Sequence, residues 1–444
     1  MSRPEGGRRV KKKCILLLGI FLLLTLSACG SDAAGETLYR LPRLPNEYES
    51  LEQQIDALLA AGAEHTAPTS GNNLQSVQMV DLDSDGVEEA VAFFRKSGDE
   101  KPLKLYIFRA LDDVYQLAYT VESSSDSIYS IAYNDLDGDG FREILIGFRS
   151  SLDVQSLSVI SLRAGEPETL LTTGYFRYIA SDMDGESSSQ ELIVVRSDEE
   201  NLAVADYYAW TEKTLELRSS IRLSMASAEV ARMTGGTLTN GETALFVTGT
   251  MTEGGQVTDI LAVRGGNLQS ISAGAAASGE VSRFAALYPA DINGDGITEV
   301  SVPVAFPKND PEGETYYRIF WRQYDEKGEY RTVYRTLHNV QDGWSLVLPK
   351  EWDNTVAVTR QSTTDCSTVS FYRYGTNDPA SFLEISVFTD TTHAAQPVRD
   401  GRLLLARQTG VIYSAEIFDA DMISEETLCA AFALLTAEWT TGEN

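Results

Sequence analysis

The chain has 444 residues, 43% of them hydrophobic and 23% charged; it is long enough for two or three domains, with no bias toward disorder or collagen. Its 65 Asp and Glu against 36 Lys and Arg give a formal net charge of -29. A surface of that sign repels phosphate backbones, which argues against nucleic acid as a partner, and suits a solvated extracytoplasmic protein that attracts cations.

Residues 1–28 read as a signal peptide, opened by six basic residues and a single acid. The apolar run C-I-L-L-L-G-I-F-L-L-L-T-L at 14–26 is too short for a comfortable membrane span. L-S-A-C-G at 26–30 then resembles a bacterial lipobox, with small residues before a cysteine. The resemblance implies that Cys29 takes a diacylglycerol thioether and becomes the first residue of a protein held at the cell membrane by acyl chains. The plain alternative is a signal peptide with an incidental cysteine. With Cys14 removed and Cys29 lipidated, Cys366 and Cys429 are left. Export permits a disulfide between these two, and a pair of buried free thiols is the other outcome.

Residues 29–45 form a tether containing Pro42 and Pro45. A docking helix and loop follow at 46–73. Asn46 and Glu49 have capping-box spacing, Tyr48, Leu51, Ile55, Leu58 and Leu59 share one face, and Gly62 ends the helix. From 74 to 340 the chain repeats. D-L-D-S-D-G-V-E-E at 81–89, D-L-D-G-D-G-F-R-E at 135–143 and D-I-N-G-D-G-I-T-E at 291–299 are near copies. D-M-D-G-E-S-S-S-Q-E from 182 is weaker, because its glycine is misplaced, and keeps Asp182, Asp184 and Glu186. The spacing calls for one more copy near 236, where Gly241 survives without the acids. Alternating apolar stretches flank each motif, such as S-I-Y-S-I-A-Y before and I-L-I-G-F after, and read as short strands. Three or four strands per repeat make a propeller blade. The expected fold is therefore mainly β, a propeller of about five blades whose last blade L-Q-S-V-Q-M-V at 74–80 could complete. After 341 the period stops. Further strands lead to a helix capped by Ser424 with Leu428, Phe432, Leu435 and Trp439 on its inner face, a compact α+β domain over 341–444.

The motif suits calcium, which takes six to eight hard oxygens. Asp81, Asp83, Asp85, the Val87 carbonyl and Glu89 offer them in the first copy. Asp135, Asp137, Asp139, the Phe141 carbonyl and Glu143 do so in the second, and Asp291, Asn293, Asp295, the Ile297 carbonyl and Glu299 in the third. Packed carboxylates without a cation would repel one another. An EF-hand is ruled out, since Ala92, Ile146 and Val302 stand where its twelfth-position glutamate belongs and the flanks are strands. The copy at 182 is expected to bind weakly or not at all, and that near 236 to bind no metal.

D-L-D-G-D-G-F-R-E-I-L-I-G at 135–147 resembles the repeats of the FG-GAP and VCBS class found in integrin-alpha-type propellers. The F-G and G-A-P elements themselves are missing, which makes the likeness VCBS-like. The resemblance implies calcium loops that stiffen blades, and surface recognition or adhesion without a fixed ligand. No metalloprotease, hydrolase, Walker or dinucleotide signature is present, and the three histidines, His65, His338 and His393, form no motif. The expectation is a non-enzymatic, lipid-anchored envelope protein that binds a protein or glycan partner. The alternatives are an assembly component of an envelope complex and, further off, a carbohydrate-active enzyme with two carboxylates outside the loops.

Overall fold

The computed structural model describes residues 46–435 apart from 113, 151–154, 164, 186–188, 212–213, 251–254, 273–286, 377–379 and 390–400. The signal peptide, Cys29, the tether, Glu186, His393 and Trp439 lie outside the described residues, as does the side chain of Asn46 and with it the capping box.

Helix α1 (Asn46–Ala60) ends as its sequence requires: Gly62 takes φ +86° and donates its N–H to the Leu59 carbonyl. Five antiparallel sheets follow in chain order. The first holds β1 (Glu64–His65), β2 (Val77–Val80), β3 (Glu89–Arg95), β4 (Leu103–Leu111) and β5 (Val114–Ser123). The second is β6 (Ser127–Asn134), β7 (Glu143–Arg149), β8 (Gln155–Ser161) and β9 (Glu168–Gly174). The third is β10 (Arg177–Ser181), β11 (Glu191–Ser197), β12 (Leu202–Thr211) and β13 (Thr214–Ala226). The fourth is β14 (Val230–Thr237), β15 (Thr243–Thr250), β16 (Gln256–Arg264) and β17 (Asn267–Ser272). The fifth joins β18 (Glu299–Ala305), β19 (Tyr317–Tyr324), β20 (Tyr330–Asn339) and β21 (Trp344–Val347). A sixth sheet is built from β22 (Val356–Ser362), β23 (Cys366–Arg373), β24 (Ser381–Phe388), β25 (Leu403–Gln408) and β26 (Val411–Ile417). Helix α2 (Glu425–Ala431) and β27 (Phe432–Leu434) close the described chain. No described helix is long and apolar enough to cross a membrane.

Alternation along each strand gives every sheet two apolar faces, and the faces pair in sequence order. Val91, Phe93 and Ile107 of the first sheet share a core with Ile144 and Ile146 of the second. Leu145 and Leu157 on the far face of the second meet Leu192 and Val194 of the third. Ile193 and Val195 then meet Leu245 and Val247 of the fourth, and Phe246 meets Val300 of the fifth. On the outer face of the first sheet, Ala90, Ala92 and Phe94 pack on Leu51 of α1, with Tyr48, Ile55, Leu58 and Leu59 beside it. The docking-helix face is therefore as the sequence spells it.

Three expectations need correction. Residues 77–80 do not complete a distant blade: β2 pairs with β3 of its own sheet, Val77 opposite Ala92 and Val80 opposite Glu89. Closing the short loop between them costs far less chain entropy than spanning the molecule. Nor does the repeat end at 340. Strand β21, from the segment assigned to the C-terminal domain, pairs with β20 and extends the fifth sheet. Helix α2, capped by the Ser424 hydroxyl as expected, stops at Ala431. Phe432 to Leu434 leave the helix because the edge of β21 offers them ladder hydrogen bonds, and the Phe432 ring stacks 5.8 Å from Trp344.

Candidate metal centres

Each acidic loop leads into a strand of its sheet: β3, β7, β11 or β18. In four units a glutamate opens that strand and pairs with the residue just before the loop: Glu89 opposite Val80, Glu143 opposite Asn134, Glu191 opposite Ser181 and Glu299 opposite Ala290. All four are at most 3% exposed. Each turns its carboxylate back into the loop and accepts the N–H of the loop's second residue. The donors are Leu82 at 2.9 Å, Leu136 at 3.0 Å, Met183 at 2.7 Å and Ile292 at 2.8 Å. The side chains of the same residues run the other way, into the cores on either side, and Leu238 does so in the fourth unit. The alternation D-apolar-D thus serves two ends: acids gather in the loop while every second residue pins the loop to the core.

The first aspartate accepts backbone donors at the far side of the turn. Asp135 receives Gly138 N–H at 2.7 Å and Gly140 N–H at 2.9 Å; Asp291 receives Gly294 and Gly296, both at 2.8 Å. Gly140 and Gly296 hold φ of +92° and +82°, which only glycine adopts freely. Val87, Phe141 and Ile297 enter the network by their N–H groups, bonded to Asp85, Asp139 and Asp295.

Among the described residues four carboxylate groups result, each with ligand oxygens within 4.8 Å of one another: Asp81, Asp83 and Asp85; Asp135, Asp137 and Glu143; Asp182, Asp184 and Glu191; Asp291, Asp295 and Glu299. Asp139 is not in the second group; Arg163 bridges it and Asp137, at 2.9 Å and 2.8 Å. Glu89 is not in the first, where Arg109 stands 3.7 Å from it and 2.8 Å from Asp83. Asn293 donates to Asp295 at 3.1 Å. In the third group the described glutamate is Glu191, one place beyond the motif's ninth position; Glu186 lies outside the described residues. The sign that finds it is the apolar run L-I-V-V behind it, matching the runs behind Glu89, Glu143 and Glu299. In the fourth unit Thr243 faces Thr237 where the glutamate would be, and a tight turn through Gly241 at φ +87° replaces the loop.

Burial holds these acids far from their ordinary state. Glu89, Glu143 and Glu191 are pushed up to about 7, chiefly by desolvation, and Glu299 is raised by the same cause. Asp137 is raised by burial and by the neighbouring Asp139. Asp295 is held down by the Gln323 amide, which bonds it at 2.7 Å and Glu299 at 2.6 Å. In the first loop the Asp81 and Asp83 Oδ1 atoms are buried without a hydrogen-bond donor. Buried hard oxygens, crowded and short of donors, fit a divalent cation of the calcium kind.

The loops are also linked to one another. Arg142, just before Glu143, donates its N–H to the Leu82 carbonyl of the preceding loop at 2.8 Å. Gln190 repeats this with Asp135 at 3.0 Å, and Thr298 with Thr237 at 3.0 Å. The Ser84 hydroxyl adds a bond to the Gly140 carbonyl at 2.6 Å.

The remaining candidates have structural places. His338 is buried beside Trp321, and desolvation lowers it to about 4. His65 lies 4.7 Å from the Phe94 ring. Cys366 and Cys429 are both free thiols, Cys429 exposed, so the bridge is not formed.

No family model and no curated protein matches the chain. Among solved structures, it is similar to the periplasmic gluconolactonase of Pseudomonas aeruginosa, at 13% identity over 70% of this chain and 83% of the other, with a TM-score of 0.28. Likeness to TolB of Acinetobacter baumannii is 11% over 64% and 60%, with a TM-score of 0.24. A 6-phosphogluconolactonase-like protein of Bacteroides fragilis aligns at 12% over 70% and 86%, with a TM-score of 0.29.

Proposed function

We propose that the loops at 81–89, 135–143, 182–191 and 291–299 hold calcium, and that they brace a propeller-like series of five blades displayed outside the cytoplasm on a lipid anchor at Cys29. The observation that carries this is the glutamate that opens the strand after the loop in four units, at most 3% exposed, and in three of them grouped with two aspartates. Such a group is costly when ionised alone and stable around a cation. Ligands come from Asp81, Asp83, Asp85, Asp135, Asp137, Glu143, Asp182, Asp184, Glu191, Asp291, Asp295 and Glu299. The ion is structural: it neutralises each loop where successive sheets meet. The role is non-catalytic, the binding of a protein or glycan partner at the envelope. The test is calorimetric titration of calcium into the wild type and into a triple Asp135→Ala, Asp137→Ala, Asp139→Ala variant, with melting in calcium and in chelator. The wild type is expected to take up calcium and melt higher with it, and the variant to lose one site. Identical melting in the two buffers would refute the calcium loops.

A further inference from the structure

Between the first three loops lies a cavity of about 450 Å³, within the range of small-ligand sites. Its walls are mainly polar: Ser84 from the first loop, Asn134, Asp135 and Arg142 from the second, Asp182 and Gln190 from the third, with Tyr133 beside them. Most cavities of this size are apolar, so an apolar ligand is a poor fit. The Asn134 amide donates to the Gln190 Oε1 at 2.8 Å, and the pair has an acceptor, the Asn134 Oδ1, and a donor, the Gln190 Nε2, beyond that bond. Sugar hydroxyls donate and accept at once, and such a pair suits two adjacent ones. Arg142 is exposed at the same wall and, among the described residues, makes no side-chain hydrogen bond or ion pair. Its backbone is fixed by the bond to Leu82, so the guanidinium is anchored at its root and open at its tip. A guanidinium fork matches a carboxylate.

We propose that this cavity binds a short oligosaccharide bearing a carboxylate, with Arg142 on the carboxylate and the Asn134–Gln190 pair on neighbouring hydroxyls. This rests on the loops holding calcium. Asp135 and Asp182 line the same cavity, and only with their charge offset by a cation is an anionic sugar not repelled. The wide acidic surface limits the ligand to a short uronate and disfavours a long polyanion.

The test is calorimetric titration of tri-galacturonate, and separately of neutral maltotriose, into the full-length protein in detergent, in millimolar calcium and in chelator. Calcium alone is titrated beside them. The uronate is expected to bind in calcium and not in chelator. Arg142→Ala should weaken it on the order of tenfold or more while calcium uptake and melting stay as in the wild type, since the backbone bond to Leu82 is kept. Arg142→Lys should recover part of the loss, and Asn134→Ala should weaken the sugar by a separate route. Equal binding of uronate by the Arg142→Ala variant, or maltotriose bound as tightly, overturns the carboxylate assignment. A peptide C-terminal carboxylate that binds where the uronate does not overturns the sugar. Calcium uptake without uronate binding sinks this inference alone; absence of calcium uptake sinks the calcium loops and this inference together.

Discussion

Glu143 shows how one residue couples the strand ladder to the loop chemistry. Its backbone opens β7, and its carboxylate, raised to about 7, reaches back to Leu136. The same holds for Glu89 beside Asp83 and Asp85, and for Glu191 beside Asp184 and Asp182. These glutamates ordinarily titrate near 4.5, so between that pH and about 7 the metal-free folded state binds more protons than the unfolded chain. Stability in chelator is then greatest below about pH 4.5 with respect to these groups, and falls as pH rises toward 7. Calcium, which favours the ionised form, should flatten or reverse that slope; melting temperature against pH in the two buffers checks it. Glu143→Gln should abolish one calcium site yet raise the melting temperature in chelator above neutral pH by about 2 °C or more, because a buried charge is removed. A lower melting temperature there would contradict the account. Gly140→Ala, at φ +92°, should cost about 1–2 kcal/mol in urea unfolding. Three of the glutamates were legible as the ninth motif position. Glu191 was not, since its place is set by pairing with Ser181 and an insertion upsets the count.

At the scale of elements, the loops hang on their apolar second residues. Leu136, 0% exposed between the second and third sheets, should lose about 2–5 kcal/mol on mutation to Ala, whether or not calcium is present. An effect that vanished in calcium would instead place Leu136 in the metal site. Removing α1 would bare Ala90, Ala92, Phe94 and Phe108, and the truncated protein should self-associate in sedimentation while the wild type does not. The strands were readable because alternation survives in every unit. The exit from α2 was not: Leu428, Phe432 and Leu435 have helical spacing, and only the unpaired edge at Trp344, far away in sequence, makes Phe432 extended.

For the whole molecule, the Arg142 and Gln190 bonds link the first three loops in a row, and the Thr298 bond ties the loop of the fifth sheet to the acid-free fourth unit. Chelation should therefore raise amide exchange at 81–89, 135–143, 182–191 and 291–299, and leave the acid-free turn at 238–242 unchanged. Equal change in all five would point to a general loosening, not to metal loss. The sequence period marked where each sheet begins, but it did not say which faces meet or what covers the first, because face pairing depends on contacts between distant strands.

The helix on the first sheet bears on how such a chain can grow. Its outer face is already taken, and the fifth sheet shares a core with the sixth through Leu337, Trp344 and Leu346. A duplicated unit finds no vacant apolar face before the first sheet, so it must be spliced between existing ones. It needs only an apolar residue second in its loop and an N–H donor before the strand that follows the loop. Held on both sides, an interior unit needs no acids to keep its place, as the unit around Leu238 and Gly241 shows.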